Sequence, residues 1–161
     1  MRTYFAQSME IFEQLGDRSA IADVLKDHSG MAVLEGKLDW AVTNLSTSIA
    51  ISQELGYRQF IGTGMFLLGF AVSMRGEPDE TTAIIRALHL WGASSGLLGM
   101  IGSTPHLSNF PIVHETLVRY RASLDDATWK QAYRYGRSLT ADQAMAAFRE
   151  SEAARNEKLQ Q

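Results

Sequence analysis

Apolar residues return every three or four positions over long stretches of this chain. Phe5, Ser8, Phe12 and Leu15 share one side of a helix, and Ile21, Val24, Leu25, His28 and Ala32 share one side of the next. Leu38, Ala41, Val42, Leu45 and Ile49 form a third stripe. Met65, Leu68 and Val72 form a fourth, and Thr81, Ile84, Ile85, Leu88 and Trp91 a fifth. This is the 3.6-residue period of helices that each bury one face. Few runs show the strict alternation of a strand. The pattern predicts an all-α fold with helices at about 2–15, 18–35, 38–55, 58–75, 79–95, 109–123, 126–135 and 141–156. Residues 96–108, GLLGMIGSTPHLS, hold three glycines and a proline and are expected to form an irregular link. Thr140 with Gln143 forms a capping box for the last helix, and Gly136 is expected to end the one before it.

The stripes repeat. SMEIFEQLGDRSAI (8–21) and SIAISQELGYRQFI (48–61) lie 40 residues apart, and residues 8–42 match residues 48–82 at eight positions. Roughly two matches would arise by chance from an average composition. The matches include Gly16/Gly56 and Gly36/Gly76, which follow apolar runs where a helix C-terminus wants a left-handed residue. Asp17, Asp39 and Asp79 stand where N-caps or first-turn carboxylates belong. A two-helix unit repeated at this spacing cannot bury its apolar faces alone and has to stack on a neighbour, which is the logic of a helical solenoid.

Composition narrows the classes of function. Hydrophobic residues make up 45% of the 161 and charged residues 20%, enough to build a core. A net charge of −3 argues against direct binding of nucleic acid, which needs a dense cationic face. There is no cysteine, so disulfides and thiolate metal sites are excluded, in keeping with a cytoplasmic location. No apolar run is long enough to span a bilayer, so no membrane partner is expected. The sequence GTGMFLLG (62–69) has the glycines of a phosphate loop but lies inside a helical pattern with no strand before it. Gly62 and Gly69 instead share a face, as close helix packing requires. No nucleophile–base pair, metal-ligand cluster or cofactor loop is legible, so no catalytic residue, metal or cofactor is assigned. The histidines 28, 89, 106 and 114 lack the i, i+4 spacing of a helical metal site. Asp125 and Asp126 read as a helix cap rather than a catalytic carboxylate pair.

The internal spacing resembles the tetratricopeptide repeat. Leu25, Ser29, Gly36, Ala41 and Leu45 fill its slots in the first unit, and Leu68, Gly69, Val72, Gly76 and Ile85 in the second. The longer helices and the phrase S-x-x-I-x-x-x-L-G-x-R-x-x-I are similar to repeats near the C-terminus of large bacterial signalling ATPases, including LuxR-type and AfsR-type transcriptional regulators. HLWGASSGLLGMIG (89–102) is similar to a segment near their end. So is the closing pattern filled by Trp129, Ala132, Gly136, Arg137, Leu139, Thr140 and Ala144. Thr81 and Thr82 stand where that pattern has alanines, a departure expected to loosen their helix.

The resemblance implies a right-handed helical-hairpin solenoid over 1–95, a link at 96–108, capping helices of the same domain at 109–157 and a frayed tail at 158–161. It also implies that helix 2–15 is the second half of a repeat whose first helix lies outside this sequence. The implied role is a non-enzymatic protein–protein interaction scaffold, the sensor or assembly region of a larger bacterial regulator. The alternative is a small-molecule effector sensor, with Trp91, Trp129, Tyr133 and Tyr135 as stacking platforms.

In such repeats the first helix of each pair lines a groove. That assigns Asp23, Lys26, Gly30 and Val33 in one unit, and Thr63, Phe66, Phe70 and Ser73 in the other, to binding a protein or peptide. The competing expectation is that the capping helices fill this groove. His28 is expected to be a hydrogen-bonded core residue. Tyr4, Phe5, Met9, Ile11 and Phe12 leave the first helix apolar enough to form homo-oligomers.

Overall fold

A computed structural model describes residues 2–76, 79–104 and 111–159, which form helices and no strand. They are α1 (Arg2–Leu15), α2 (Arg18–Leu34), α3 (Leu38–Leu55), α4 (Arg58–Arg75), α5 (Glu80–Met100), α6 (Pro111–Ser123), α7 (Asp126–Ser138) and α8 (Ala141–Leu159). Each of α2, α3 and α4 packs on the next helix, α2 also lies beside α4, α1 rests on α2, and α7 rests on α5. The described residues are all-α, and α1 to α5 pack in sequence order.

The turns between the first five helices follow one rule. Gly16, Gly36, Gly56 and Gly76 all have φ between 64° and 74° and recur every 20 residues, half the sequence repeat. After each of the first three, the next residue's N–H reaches back to a carbonyl five residues earlier. The pairs are Asp17 to Phe12 at 2.9 Å, Lys37 to Ala32 at 2.8 Å and Tyr57 to Ser52 at 2.9 Å. This is the Schellman closure, and it needs the left-handed residue that glycine supplies without a Cβ penalty. Asp17, Asp79 and Asp125 cap the next helices by accepting the N–H of the residue three further on. The Thr140–Gln143 box is formed in both directions, at 2.9 and 3.2 Å.

Four expectations need correction. α5 runs to Met100, so residues 96–100 of the expected link are helical. Leu98 explains this: it is fully buried against Gly62 of α4, and that burial outweighs the helix cost of Gly96 and Gly99. Gly136 does not end α7 but sits inside it. Thr81 and Thr82 do not loosen α5, because Thr82 bonds Asp79 through both its N–H and its hydroxyl and Thr81 is exposed. α8 continues to Leu159, past its expected end. Residues 105–110, with His106, and residues 160–161 lie outside the described residues.

Glycines let α5 approach two helices closely. A Cβ on Gly69 would fall inside the contact distance of the Trp91 indole, and Trp91 Nε1–H donates to the Phe66 carbonyl at 3.0 Å. Ser94 Oγ donates to the Gly62 carbonyl at 2.7 Å. Between α2 and α3, Ser48 Oγ likewise donates to the Ala22 carbonyl at 2.6 Å. On the other side of α5, Gly92 lies against the backbone of Tyr133 and Arg137, and Gly136 lies against the backbone of His89. Backbone cannot retreat as a side-chain tip can.

The last three helices clamp this stack. Gln53 donates to Asp142 near one end of α3, and Arg155 pairs with Asp39 near the other, so α8 runs antiparallel to α3. Met145 and Phe148 are buried beneath α8. Glu152 Oε1 accepts from Arg75 of α4 and Arg86 of α5, each at 2.5 Å, and Arg86 also donates to Ser151 Oγ at 2.7 Å. Burial alone would raise the Glu152 carboxyl, but the bonds from Arg75 and Arg86 outweigh it and hold the group below its ordinary range.

Two outcomes follow from these contacts. Gly136→Ala should lower stability by about 2 kcal/mol through overpacking against backbone. Gly99→Ala, on the same helix system with open space at its Cβ, should be neutral or slightly stabilising. Equal thermal midpoints for the two variants would rule out the close crossing. Glu152→Gln should cost about 3 kcal/mol, because two largely buried guanidinium groups lose their carboxylate. Since the folded group titrates low, its contribution is complete above the ordinary value of 4.5 and is lost as pH falls through the lowered value. Denaturant titrations should therefore show an acid-side slope that the variant flattens.

Candidate functional site

α2 and α4 lie side by side, and their shared outer surface is concave. Gly30 makes this possible, since only the Leu67 methyls approach its missing Cβ, at 3.6 Å. The resulting cavity has a volume of about 560 Å³. Val33 and Leu34 of α2 and Phe60, Leu67, Phe70 and Met74 of α4 make its wall apolar. Ile112, Val113 and Thr116 of α6 close one side.

The polar end of the cavity is organised by one cation. The Lys26 side chain is only 11% exposed, and its Nζ lies 2.5 Å from Asp23 Oδ1 and 3.3 Å from Asp27 Oδ1. It also sits 4.3 Å from the centroid of the Phe60 ring. The ammonium is thus held by two carboxylates of its own helix and by a ring face across the groove. Thr63 and Gln59 supply further hydrogen-bonding groups at the wall.

Five of the residues expected to line a groove do so together: Lys26, Gly30, Val33, Thr63 and Phe70. Three do not. Asp23 pairs with Lys26 but does not line the cavity. Ser73 is buried, with its hydroxyl turned back onto the Phe70 carbonyl at 3.0 Å. Phe66 faces a second, smaller cavity of about 280 Å³ with Trp91, Trp129 and Tyr133, roofed by Leu117 of α6. The groove stripe on α4 is therefore 60, 63, 67, 70 and 74, rotated by about one position from the expected one. A stripe centred on the small residue Gly30 would have pointed to it.

Other expected residues are placed as follows. His28 is half-buried, and its ring packs at a tilt against Phe5 at 4.5 Å rather than sitting as a hydrogen-bonded core group. Phe5 also meets Trp40 edge-on at 5.6 Å. Phe5, Met9 and Phe12 are half-buried, whereas Tyr4, Ile11 and Leu15 are 76%, 53% and 71% exposed. Leu15 thus does not share a buried face with Phe5 and Phe12. Of the four aromatic residues weighed as stacking platforms, Trp91, Trp129 and Tyr133 share the smaller cavity. Tyr135 lies apart, meeting the His89 ring edge-on at 4.8 Å. Burial lowers the His89 pKa from its ordinary value. Asp125 caps α7 and Asp126 pairs with Lys130 at 2.6 Å and with Arg121, so the two carboxylates serve helix structure. Among the described residues, no group of three or more His, Asp or Glu side chains is placed to hold a metal ion, and no helix is long and apolar enough to cross a membrane.

Compared with known proteins, the chain matches no family model, no curated protein and no solved structure. The chemistry of the cavity is apolar walls, one caged cation, and a helix along one side.

Lys26 reaches the cavity as much through its methylene stem as through its charge. Lys26→Met should leave stability within about 1 kcal/mol of wild type, since the stem is replaced and two solvated carboxylates remain. Lys26→Ala should cost about 2 kcal/mol through lost packing and the lost ring contact. Chemical denaturation of the pair checks this. A large loss in the Met variant would mean that the charge itself holds α2 against α4.

Proposed function

We propose that this chain is a non-enzymatic interaction module, a tetratricopeptide-like helical-hairpin solenoid whose α2–α4 groove takes an apolar segment of a protein or peptide. The observation that carries the reading is the 560 Å³ cavity, bounded by Val33, Leu67 and Phe70 with Lys26 and Thr63 at its polar end. A concave, mostly apolar surface with a few fixed polar groups suits side-chain anchors of a partner. The 20-residue rhythm of left-handed glycines and the sequential packing of α2 to α5 support the solenoid. On the same reading, the chain is the sensor or assembly region of a larger bacterial regulatory protein acting in the cytoplasm in signalling or transcriptional control.

One observation favours a second reading, a small-molecule effector site. α6 crosses the groove, so an extended peptide meets Ile112 and Val113 where an open groove would continue. A pocket of this volume, bounded on one side by α6, falls in the range of drug-sized ligands.

Selection of displayed random peptides on the immobilised chain separates the two. The scaffold reading expects enriched sequences with apolar anchors. Their binding should fall at least tenfold in Thr63→Trp, which fills the groove from a half-buried position, while circular dichroism stays unchanged. Peptides that bind Thr63→Trp as well as wild type would refute the groove as the site. If no peptide is enriched while an apolar fluorescent dye is bound by wild type and displaced by the same substitution, the effector reading takes its place.

A further inference from the structure

The polar end of the α2–α4 cavity has a sign. Among the described residues, Lys26 and Asp27 are the only charged groups in its wall. Asp23, about one turn back on α2, joins them through its own ion pair with Lys26. Two carboxylates against one ammonium leave this end with one formal negative charge.

The three groups are not equally open to an incoming ligand. The Lys26 side chain is 11% exposed, whereas those of Asp23 and Asp27 are 46% and 69% exposed. Lys26 Nζ lies against both carboxylates, and the Phe60 ring of α4 is 4.3 Å from it. An anionic group would have to displace Asp23 or Asp27 to reach the ammonium, and would meet like charge on the way. A cation meets the opposite situation. Asp27 Oδ1 lies 3.3 Å from Lys26, which leaves Oδ2 to accept from a further donor.

The apolar part of the cavity fixes where that donor comes from. Gly30 stands one turn beyond Lys26, with the Leu67 methyls 3.6 Å from its missing Cβ and Phe70 in the same wall. Asp27 and Gly30 are about 4.5 Å apart along the helix axis at 1.5 Å rise per residue. An extended chain advances about 3.3 Å per residue. An apolar side chain seated over Gly30 therefore leaves a neighbouring lysine or arginine within reach of Asp27.

We propose, resting on the groove as the binding site, that the segment it takes is basic at one end: an apolar anchor with a lysine or arginine within about three residues, its cation paired with Asp27 and Asp23. Because both carboxylates face solvent, screening limits the gain to about three- to fivefold in affinity.

The peptides enriched on the immobilised chain are the probe. Those whose binding is lost in Thr63→Trp should carry lysine or arginine at a constant spacing from the apolar anchor. With that residue remade as glutamine, the best of them should bind about three- to fivefold more weakly at low salt, and the difference should shrink at about 1 M salt. With glutamate there, binding should be weaker still. Asp27→Lys, at an exposed site, should reverse the order and favour the glutamate form, with circular dichroism unchanged. Groove-bound peptides without a preferred basic residue, equal binding of the three forms, or an order unchanged by Asp27→Lys would overturn the proposed charge and leave the groove as the site. Peptides that bind Thr63→Trp as well as wild type, or no enriched peptide at all, would overturn both.

Discussion

Helix α5 is enclosed by three other helices, and it fits only because small residues stand where it touches them. On the α4 side Gly62 admits Leu98 and Gly69 admits the Trp91 ring; on the α7 side Gly92 and Gly136 bring two backbones together. Close approach of this kind gains dispersion contacts along the whole helix pair while burying peptide groups. Those groups are not left unpaired where they meet: Trp91 and Ser94 each donate to a carbonyl of α4. The arrangement exchanges helix propensity, which glycine lowers by about 1 kcal/mol per residue, for packing that no larger side chain would permit.

Once α5 is fixed, the remaining helices have few places to go. α7 follows the line of packing set by α2 to α5, and the connection from α7 turns α8 back across α3 and α5, where Glu152 bonds Arg75 and Arg86. α6 goes to the opposite side and partly closes the groove between α2 and α4. The stack is thereby held between two helices that do not continue its order. This gives the groove its shape: the repeat supplies two apolar walls, and α6 turns them into a bounded cavity with Lys26 caged at one end. The outer faces of the stack also differ in chemistry, polar on α7 and apolar on α1.

Most of the helical pattern was legible because its signals are local. Gly16, Gly36, Gly56 and Gly76, the caps at Asp17 and Asp79, and the Thr140–Gln143 box each act within one turn of chain, so sequence spacing determines them. The packing role of Gly62 and Gly69 was legible for the same reason, since two glycines seven apart on one helix face imply a close neighbour. What could not be read depends on which residue of another element lies opposite. Residues 96–100 remain helical because Leu98 finds Gly62, and Gly136 stays inside α7 because it finds His89. The groove was placed on the correct helices but rotated by about one position, which exchanged Phe60, Leu67 and Met74 for Phe66 and Ser73. A rotation that small is decided by the tilt between α2 and α4 and by the arrival of α6, neither of which leaves a periodic trace.

The glycine-mediated contacts make α4, α5 and α7 one cooperative block, and α1, none of whose described side chains is fully buried, stands outside it. Native-state hydrogen exchange followed residue by residue tests this most directly. The account predicts that amides in the middle of α4, α5 and α7 exchange together at the slowest rate and only through global unfolding, while those of α1 exchange far sooner. Exchange of α7 independent of and much faster than that of α5, or protection of α1 equal to that of α5, would contradict it.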